Sequence, residues 1–468
     1  MPIVIFQHLL GTQNFVNLSD CNNFEDMIQK LKKYKDENKL KKDEWIVAFG
    51  YDHNFLKEKS HPDRYVLDKV SNENPILVAH QSGHMGVANS RALEILNINE
   101  QTPNPEGGKI GKDEKTKEPT GYLEENAFLK ASQKIDGMSE EKMIKAYQKA
   151  EQIYLSYGIA TAQDGLTKKS DFELLKMLSS MGKLKIDVVS YLDIRTEQDT
   201  INNNPQFVNK YLNNYKIGGY KLILDGSPQG KTAWMSKPYE REKDYKGYPI
   251  YTDEELEKYV KIAISQNMQI LIHCNGDAAC EQMIRVIEKV SKNVNIENTR
   301  PVMIHAQTVR MDQIKRMKKL GIIPSFFVAH TYYWGDIHLK NLGQERGNNI
   351  SPMKSAIKEE LIETLHQDTP VILPNMLESI WCAVNRKTKN GKQLSEEESI
   401  SVMEALKAVT INSAYQYFEE NEKGSLKEGK IADMIILDKN PLNVAKEDLN
   451  KIQVLETWKK GEKVYSKV

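Results

Sequence analysis

Residues 269–273 read Gln269-Ile270-Leu271-Ile272-His273, and residues 301–305 read Pro301-Val302-Met303-Ile304-His305. Each is a short apolar run that closes on a histidine. Runs this short without helical spacing predict strands covered on both faces. Five further runs fit the same description: Ile159–Gln163, Lys185–Leu192, Gly219–Leu224, Ile322–Phe327 and Pro370–Leu373. Helical patterns lie around and between them, at Glu140–Tyr157, Glu254–Gln266, Ala278–Lys289 and Asp312–Leu320. The alternation predicts an α/β fold with a parallel sheet. A doubly wound sheet would satisfy it, but polar chemistry gathered at the C-terminal ends of the strands favours a closed (β/α)8 TIM barrel, whose reactive groups sit at that rim. No GxGxxG or GxxxxGK[ST] follows a strand, so dinucleotide and P-loop phosphate binding have no support.

The strand-end residues suggest a metal. Neutral imidazole is a common zinc ligand, and a catalytic zinc keeps three protein donors and one open position. A lone histidine at a strand end is more often a hydrogen-bonded rim residue, but His273 and His305 are joined by a lysine and an aspartate at other strand ends. Lys221 lies inside the apolar run Gly219–Leu224, where lysine is out of place unless paired or discharged. Such an amine can lose its charge, as a Schiff base or as a carbamate formed with carbon dioxide. Asp368, in His366-Gln367-Asp368-Thr369-Pro370, precedes another apolar run, where a plain turn aspartate is the competing account. His330, Tyr333 and Trp334 follow the run ending at Phe327 and are candidates to line a substrate pocket, against ordinary loop packing. His84 is a candidate substrate contact from outside the barrel body, and Asp225, Gly226, Gln229 and Asp164 are candidates to shape the surroundings of the metal.

The 468 residues hold 65 basic and 65 acidic side chains, which removes the long-range field of a nucleic-acid binder or a polybasic membrane protein. With 40% hydrophobic and 28% charged residues the chain has ordinary globular composition. Cys21, Cys274, Cys280 and Cys382 are scattered and read as reduced thiols, so the cytoplasm is the expected location. No apolar stretch approaches the roughly 20 residues of a membrane span, and the N-terminus lacks the marks of a signal peptide.

Five stretches in order carry a resemblance: Lys221–Ala233 (KLILDGSPQGKTA), His273–Ala278, Ile304–Gln307, His366–Val371 and Gly424–Leu437. Together with Ser82-Gly83-His84, Asn89–Leu93 and the Gly107–Gly121 stretch, they resemble the amidohydrolase superfamily, within it the branch of N-substituted formamide deformylases and related metal-dependent hydrolases. The resemblance implies a (β/α)8 TIM barrel of the metal-dependent hydrolase type with an insertion domain and a small C-terminal β-sandwich portion. It implies domains at 1–50 (start of the barrel, first strand incomplete), 51–127 (insertion over the barrel mouth), 128–420 (barrel body) and 421–468 (small β domain). It further implies a divalent metal, zinc foremost, as one or two ions. Lys221 (carbamylated), His273, His305 and Asp368 would be its ligands, with Asp368 also the catalytic base. Such a site lowers the pKa of bound water toward about 7 and polarises the scissile carbonyl. The expected reaction is hydrolysis of an amide or N-formyl C–N bond in a small molecule, with no nucleic-acid or membrane partner and the oligomeric state open, a homo-oligomer included.

One departure stands against this. The resemblance implies a leading β segment and a first barrel strand ending in a His-x-His ligand pair, and Met1–Asn17 carries neither, with only His8 nearby in Phe6-Gln7-His8-Leu9. A mis-started reading frame, a two-part protein, or a catalytically impaired homologue that binds without turnover would each account for it, and an open sheet edge would follow.

Overall fold

The structure is a computed structural model that describes residues 3–4, 16–132, 134, 140–292, 294, 296 and 298–467. The chain divides into two compact units, Met1–Gln7 with Gln148–Val468, and His8–Tyr147. The expectations for His8 and for most of Met1–Asn17 lie outside the described residues.

In the first unit, eight strands form one parallel sheet in sequential order: β1 (Ile3–Val4), β2 (Thr161–Thr167), β3 (Asp187–Asp193), β4 (Tyr215–Ile223), β5 (Gln269–Cys274), β6 (Val302–His305), β7 (Ile323–Phe326) and β8 (Thr364–Leu365). Each is parallel to the next, the arrangement of a TIM-barrel-like sheet. Every residue of β3 and β5 is buried, as continuous apolar runs require of strands covered on both faces. Val189, Tyr191, Leu271, Val302, Ile304 and Ile323 from four strands pack with Tyr417 into one apolar cluster.

Helices fill the crossovers. The Asp253–Ser265 helix starts on a capping box, in which Thr252 and Glu255 satisfy each other's backbone N–H groups. The Met311–Leu320 helix stops at Gly321, which takes φ of 64°. Residues 402–416 form two helices, Val402–Val409 and Ile411–Gln416, broken at Thr410 with φ −124° and ψ −94°.

The expected strand at Pro370–Leu373 is a correction: those residues form a turn with Leu373 57% exposed, and the strand is Thr364–Leu365. Asp164 also shifts role, from the end of a strand to the middle of β2, opposite Val4 and Ser190.

The first unit ends in a three-stranded antiparallel sheet of β9 (Met434–Leu437), β10 (Val454–Lys459) and β11 (Glu462–Ser466). It is fastened by buried ion pairs. Asp187, the first residue of β3, meets Lys423 Nζ at 2.5 Å and Lys459 Nζ at 2.6 Å, while Lys459 also meets Asp433 at 2.6 Å and Lys423 meets Glu419 at 2.8 Å.

The second unit holds a six-stranded mixed sheet in the order Val16–Asn17, Ile46–Tyr51, Ile76–His80, Met85–Ala88, Pro119–Glu125, Gly108–Lys112. The charged stretch 111–120 is the hairpin joining the last two in antiparallel register.

Candidate functional site

The C-terminal ends of β4, β5 and β6 bring Lys221, His273 and His305 to neighbouring strands. Lys221 is in register with Leu271, His273 with Ile304, and Cys274 with His305. The His273 and His305 rings meet edge to face with centroids 4.5 Å apart. Lys221 is buried among them. Burial pushes its amine down to about 8, against the pull of Asp368 and then Cys274. Burial, then His273 and His366, hold His305 well below the ordinary imidazole value, so its ring is neutral near pH 7.

Two hydrogen-bonded chains fix the imidazoles. The Asn275 amide lies 3.0 Å from His273 Nε2; its NH2 group donates there, which puts the His273 proton on Nδ1, facing Asp225 Oδ1 at 3.6 Å. Asp225 is itself held by the backbone N–H groups of Trp234, Asn275 and Gly276 at 2.7–3.0 Å. Gly276 permits this: a Cβ there would stand 1.9 Å from the Trp234 carbonyl oxygen, so only glycine lets the two loops close. On the other side His305 Nδ1 lies 3.0 Å from His366 Nε2, and His366 Nδ1 lies 3.0 Å from Ser325 Oγ. When His305 Nδ1–H donates to His366 and His366 Nδ1–H donates to Ser325, the His305 Nε2 lone pair faces away from the chain, as a metal ligand requires.

The backbone is strained at the same place. His305, Ala306 and Asp368 take φ of 74°, 46° and 52°, and a non-glycine residue in the left-handed region costs about 1–2 kcal/mol.

The donor set fits a divalent metal in its chemistry: two imidazoles, a carboxylate and a buried amine of lowered pKa. Among the described residues of this rim, no three imidazole, carboxylate or thiolate donors lie within 4.8 Å of one another.

The other candidates are placed as follows. His330 is buried, with Nδ1 3.0 Å from His338 Nε2 and the two rings stacked at 5.2 Å. Trp334 is 1% exposed and packs on Phe327 and His330, while Tyr333 is half-buried beside it. His84 belongs to the second unit, where its Nδ1 lies 2.9 Å from Glu125 Oε2. The Thr167 hydroxyl donates to the Asp164 carboxylate at 2.5 Å.

His366 and Asn275 are functional candidates that reading the sequence passed over. The signal for His366 is its place two residues before Asp368 at the end of the last strand. A second group went unread: Asp52, His53 and His80 of the second unit, whose ligand atoms lie within 4.8 Å of one another. Its signal is Ile76-Leu77-Val78-Ala79-His80, another apolar run closing on a histidine.

The sequence profile of the amidohydrolase family matches residues 7–465. YtcJ of Bacillus subtilis (strain 168) is 26% identical over 483 residues, covering 98% of this chain and 87% of that one. The N-substituted formamide deformylase of Arthrobacter pascens is 26% identical over 434 residues, covering 89% and 78%. An uncharacterized metal-dependent hydrolase from Pyrococcus horikoshii OT3 superposes with a TM-score of 0.77 at 26% identity, covering 95% of this chain and 86% of that one.

Proposed function

This chain belongs to the amidohydrolase family and is a hydrolase of carbon–nitrogen bonds, and from that premise we propose that it cleaves an amide or N-formyl bond of a small molecule at the rim built by Lys221, His273, His305 and Asp368. The observation that carries the reading is the burial of the Lys221 amine beside Asp368, next to two imidazoles held in fixed orientation.

His305 through Nε2, together with His273, Lys221 as its carbamate and Asp368, would hold a divalent cation, with zinc favoured by the imidazole donors. When bound, the cation supplies Lewis-acid polarisation of the scissile carbonyl and a nucleophile that ionises near neutral pH. The chain's own groups do the rest. Lys221 reacts with carbon dioxide only as the free amine, and its lowered pKa keeps a useful fraction in that form. Asp368 takes the proton from the attacking water on a carboxylate oxygen and returns it to the leaving nitrogen. Asn275 with Asp225, and His366 with Ser325, keep the two imidazoles from turning. Tyr333, half-buried, would offer the substrate an aromatic contact, with Trp334 and His330 packed behind it. Four buried free thiols support a reducing compartment, the cytoplasm, and among the described residues no helix is long and apolar enough to cross a membrane.

The test is a panel of N-substituted formamides and small amides, assayed for amine release with zinc-loaded and chelated protein. Turnover should stop on chelation and return with zinc, and Asp368→Asn should lower kcat by about 1,000-fold with KM little changed. An Asp368→Asn variant within tenfold of wild type, or a fully metal-loaded chain inert to every amide and formamide, overturns the reading.

A further inference from the structure

The second unit repeats the pattern of a strand ending on an imidazole. Its Ile46–Tyr51 strand runs directly into Asp52 and His53, the neighbouring parallel strand Ile76–His80 ends on His80, and Tyr51 and His80 are register partners. The ends of two adjacent strands thus deliver two imidazoles and a carboxylate to one spot.

The separations there are those of a coordination polyhedron. His53 Nδ1 and His80 Nε2 are 3.2 Å apart, His80 Nε2 and Asp52 Oδ1 3.4 Å, and His53 Nδ1 and Asp52 Oδ1 3.7 Å. A tetrahedral cation about 2.0–2.1 Å from each donor holds its donors roughly 3.3 Å apart, so one point can lie at bonding distance from all three. The side chains of His80 and Asp52 are 3% and 2% exposed, and that of His53 24%, so two donors are fixed in the interior and the third sits at the mouth.

The surroundings hold these donors in place. The Asn54 backbone N–H and side-chain amide donate to Asp52 Oδ1 at 2.9 and 3.0 Å. His61 stacks on His53 with ring centroids 4.1 Å apart and is itself anchored by Tyr51 Oη, 2.9 Å from its Nδ1. His80 Nδ1 lies 2.9 Å from Ser82 Oγ and accepts the Ser82 backbone N–H at 3.0 Å. That acceptor role places the His80 proton on Nε2, between His53 and Asp52. A cation bound at Nε2 takes the place of that proton, and its transfer to Nδ1, for donation to Ser82 Oγ, gives up the backbone N–H contact.

We propose that Asp52, His53 and His80 form a metal site of the second unit, with its own ligands, for a first-row divalent transition cation of the zinc, cobalt or nickel class. Two imidazoles and one carboxylate select these ions over magnesium and calcium, which prefer all-oxygen shells. Three protein donors leave a fourth position for water on the half-exposed His53 side. The inference does not depend on the function proposed for the rim, since no ligand is shared.

The test uses the full chain and zinc or cobalt alone. After dialysis against excess metal, zinc content is measured for wild type, His53→Gln, His53→Gln/His80→Ala, and the rim variant His273→Ala, with circular dichroism as the check on folding. The double variant should hold one equivalent less than wild type, and the rim variant should keep that equivalent. His53→Gln changes only a partly exposed side chain and should weaken cobalt binding at this site about tenfold or more, seen as loss of the cobalt visible band. A folded double variant, or a folded His53→Gln chain, that binds metal as wild type does would overturn the proposal. So would loss of the same equivalent in the rim variant.

Discussion

A lysine amine surrounded by protein rather than water gives up its proton early. Lys221 does so at about 8, below the ordinary 10.5. Between those values the unfolded chain carries the proton and the folded chain does not, so stability rises with pH across the window; below about pH 8 both forms carry it and the penalty is constant. The full penalty is about 3 kcal/mol. Urea unfolding of metal-free protein in carbon-dioxide-free buffer should show wild type gaining on Lys221→Met between pH 8 and 10.5, with the variant more stable at pH 7. Parallel pH curves for the two proteins would count against it. Lysine at this position is therefore a stability liability, and that liability made it legible as a lysine out of place within the apolar run Gly219–Leu224. The pairing of His366 with His305 was not legible, because the two are 61 positions apart and only the sheet brings them together. Asp52, His53 and His80 were missed for a different reason: the strand-end rule that found His273 and His305 applies to them as well, but the polar turns around them read as an irregular insertion.

At the scale of elements, the joint between the Glu140–Ser156 helix and β3 rests on one carboxylate. Glu151 Oε1 accepts the backbone N–H of Lys185 at 2.7 Å and of Ile186 at 3.1 Å, just before β3 begins. Burial pushes its pKa up to about 7, against those two hydrogen bonds. The folded chain therefore holds the proton more tightly than the unfolded chain between about 4.5 and 7, and stability falls as pH rises through that window. Glu151→Gln keeps the acceptor without the charge and should exceed wild type by on the order of 2–3 kcal/mol above pH 7, converging with it near pH 4.5. Glu151→Ala should lie about 2–4 kcal/mol below Glu151→Gln at any pH, because two N–H groups lose their acceptor. Equal stability of wild type and Glu151→Gln at pH 8 would refute this account. Strands from Lys185 through Phe327 were readable within a few residues because each is a buried parallel strand with an uninterrupted apolar run. The run at 370–373 misled because apolar content reports burial and not hydrogen bonding: Val371, Ile372 and Leu373 follow Pro370 into a turn, and the true last strand is only two residues long.

At the scale of the whole chain, the three-stranded C-terminal sheet is joined to the barrel sheet by charge. Asp187 faces Lys423 and Lys459, each side chain at most 4% exposed. Asp187→Asn leaves both ammonium groups with one carboxylate each, and should destabilise the protein by about 3–5 kcal/mol. Asp187 opens β3, at the end of the sheet away from the strand-end histidines, so kcat per folded molecule should stay unchanged; denaturant melts beside active-site titration would test both parts, and a fall in kcat would contradict the placement. None of these pairs was visible in the sequence, since their members are more than 200 positions apart. The register of β1 carries a consequence in time. Ile3 pairs with Gln163, about 160 residues later, and the unit between them, His8–Tyr147, is continuous in the chain. At synthesis rates of roughly 5–20 residues per second, β1 leaves the ribosome roughly 8–30 s before its neighbour exists. Through that interval its backbone is an unclaimed edge, and whatever shelters or captures it during translation competes with completion of the sheet.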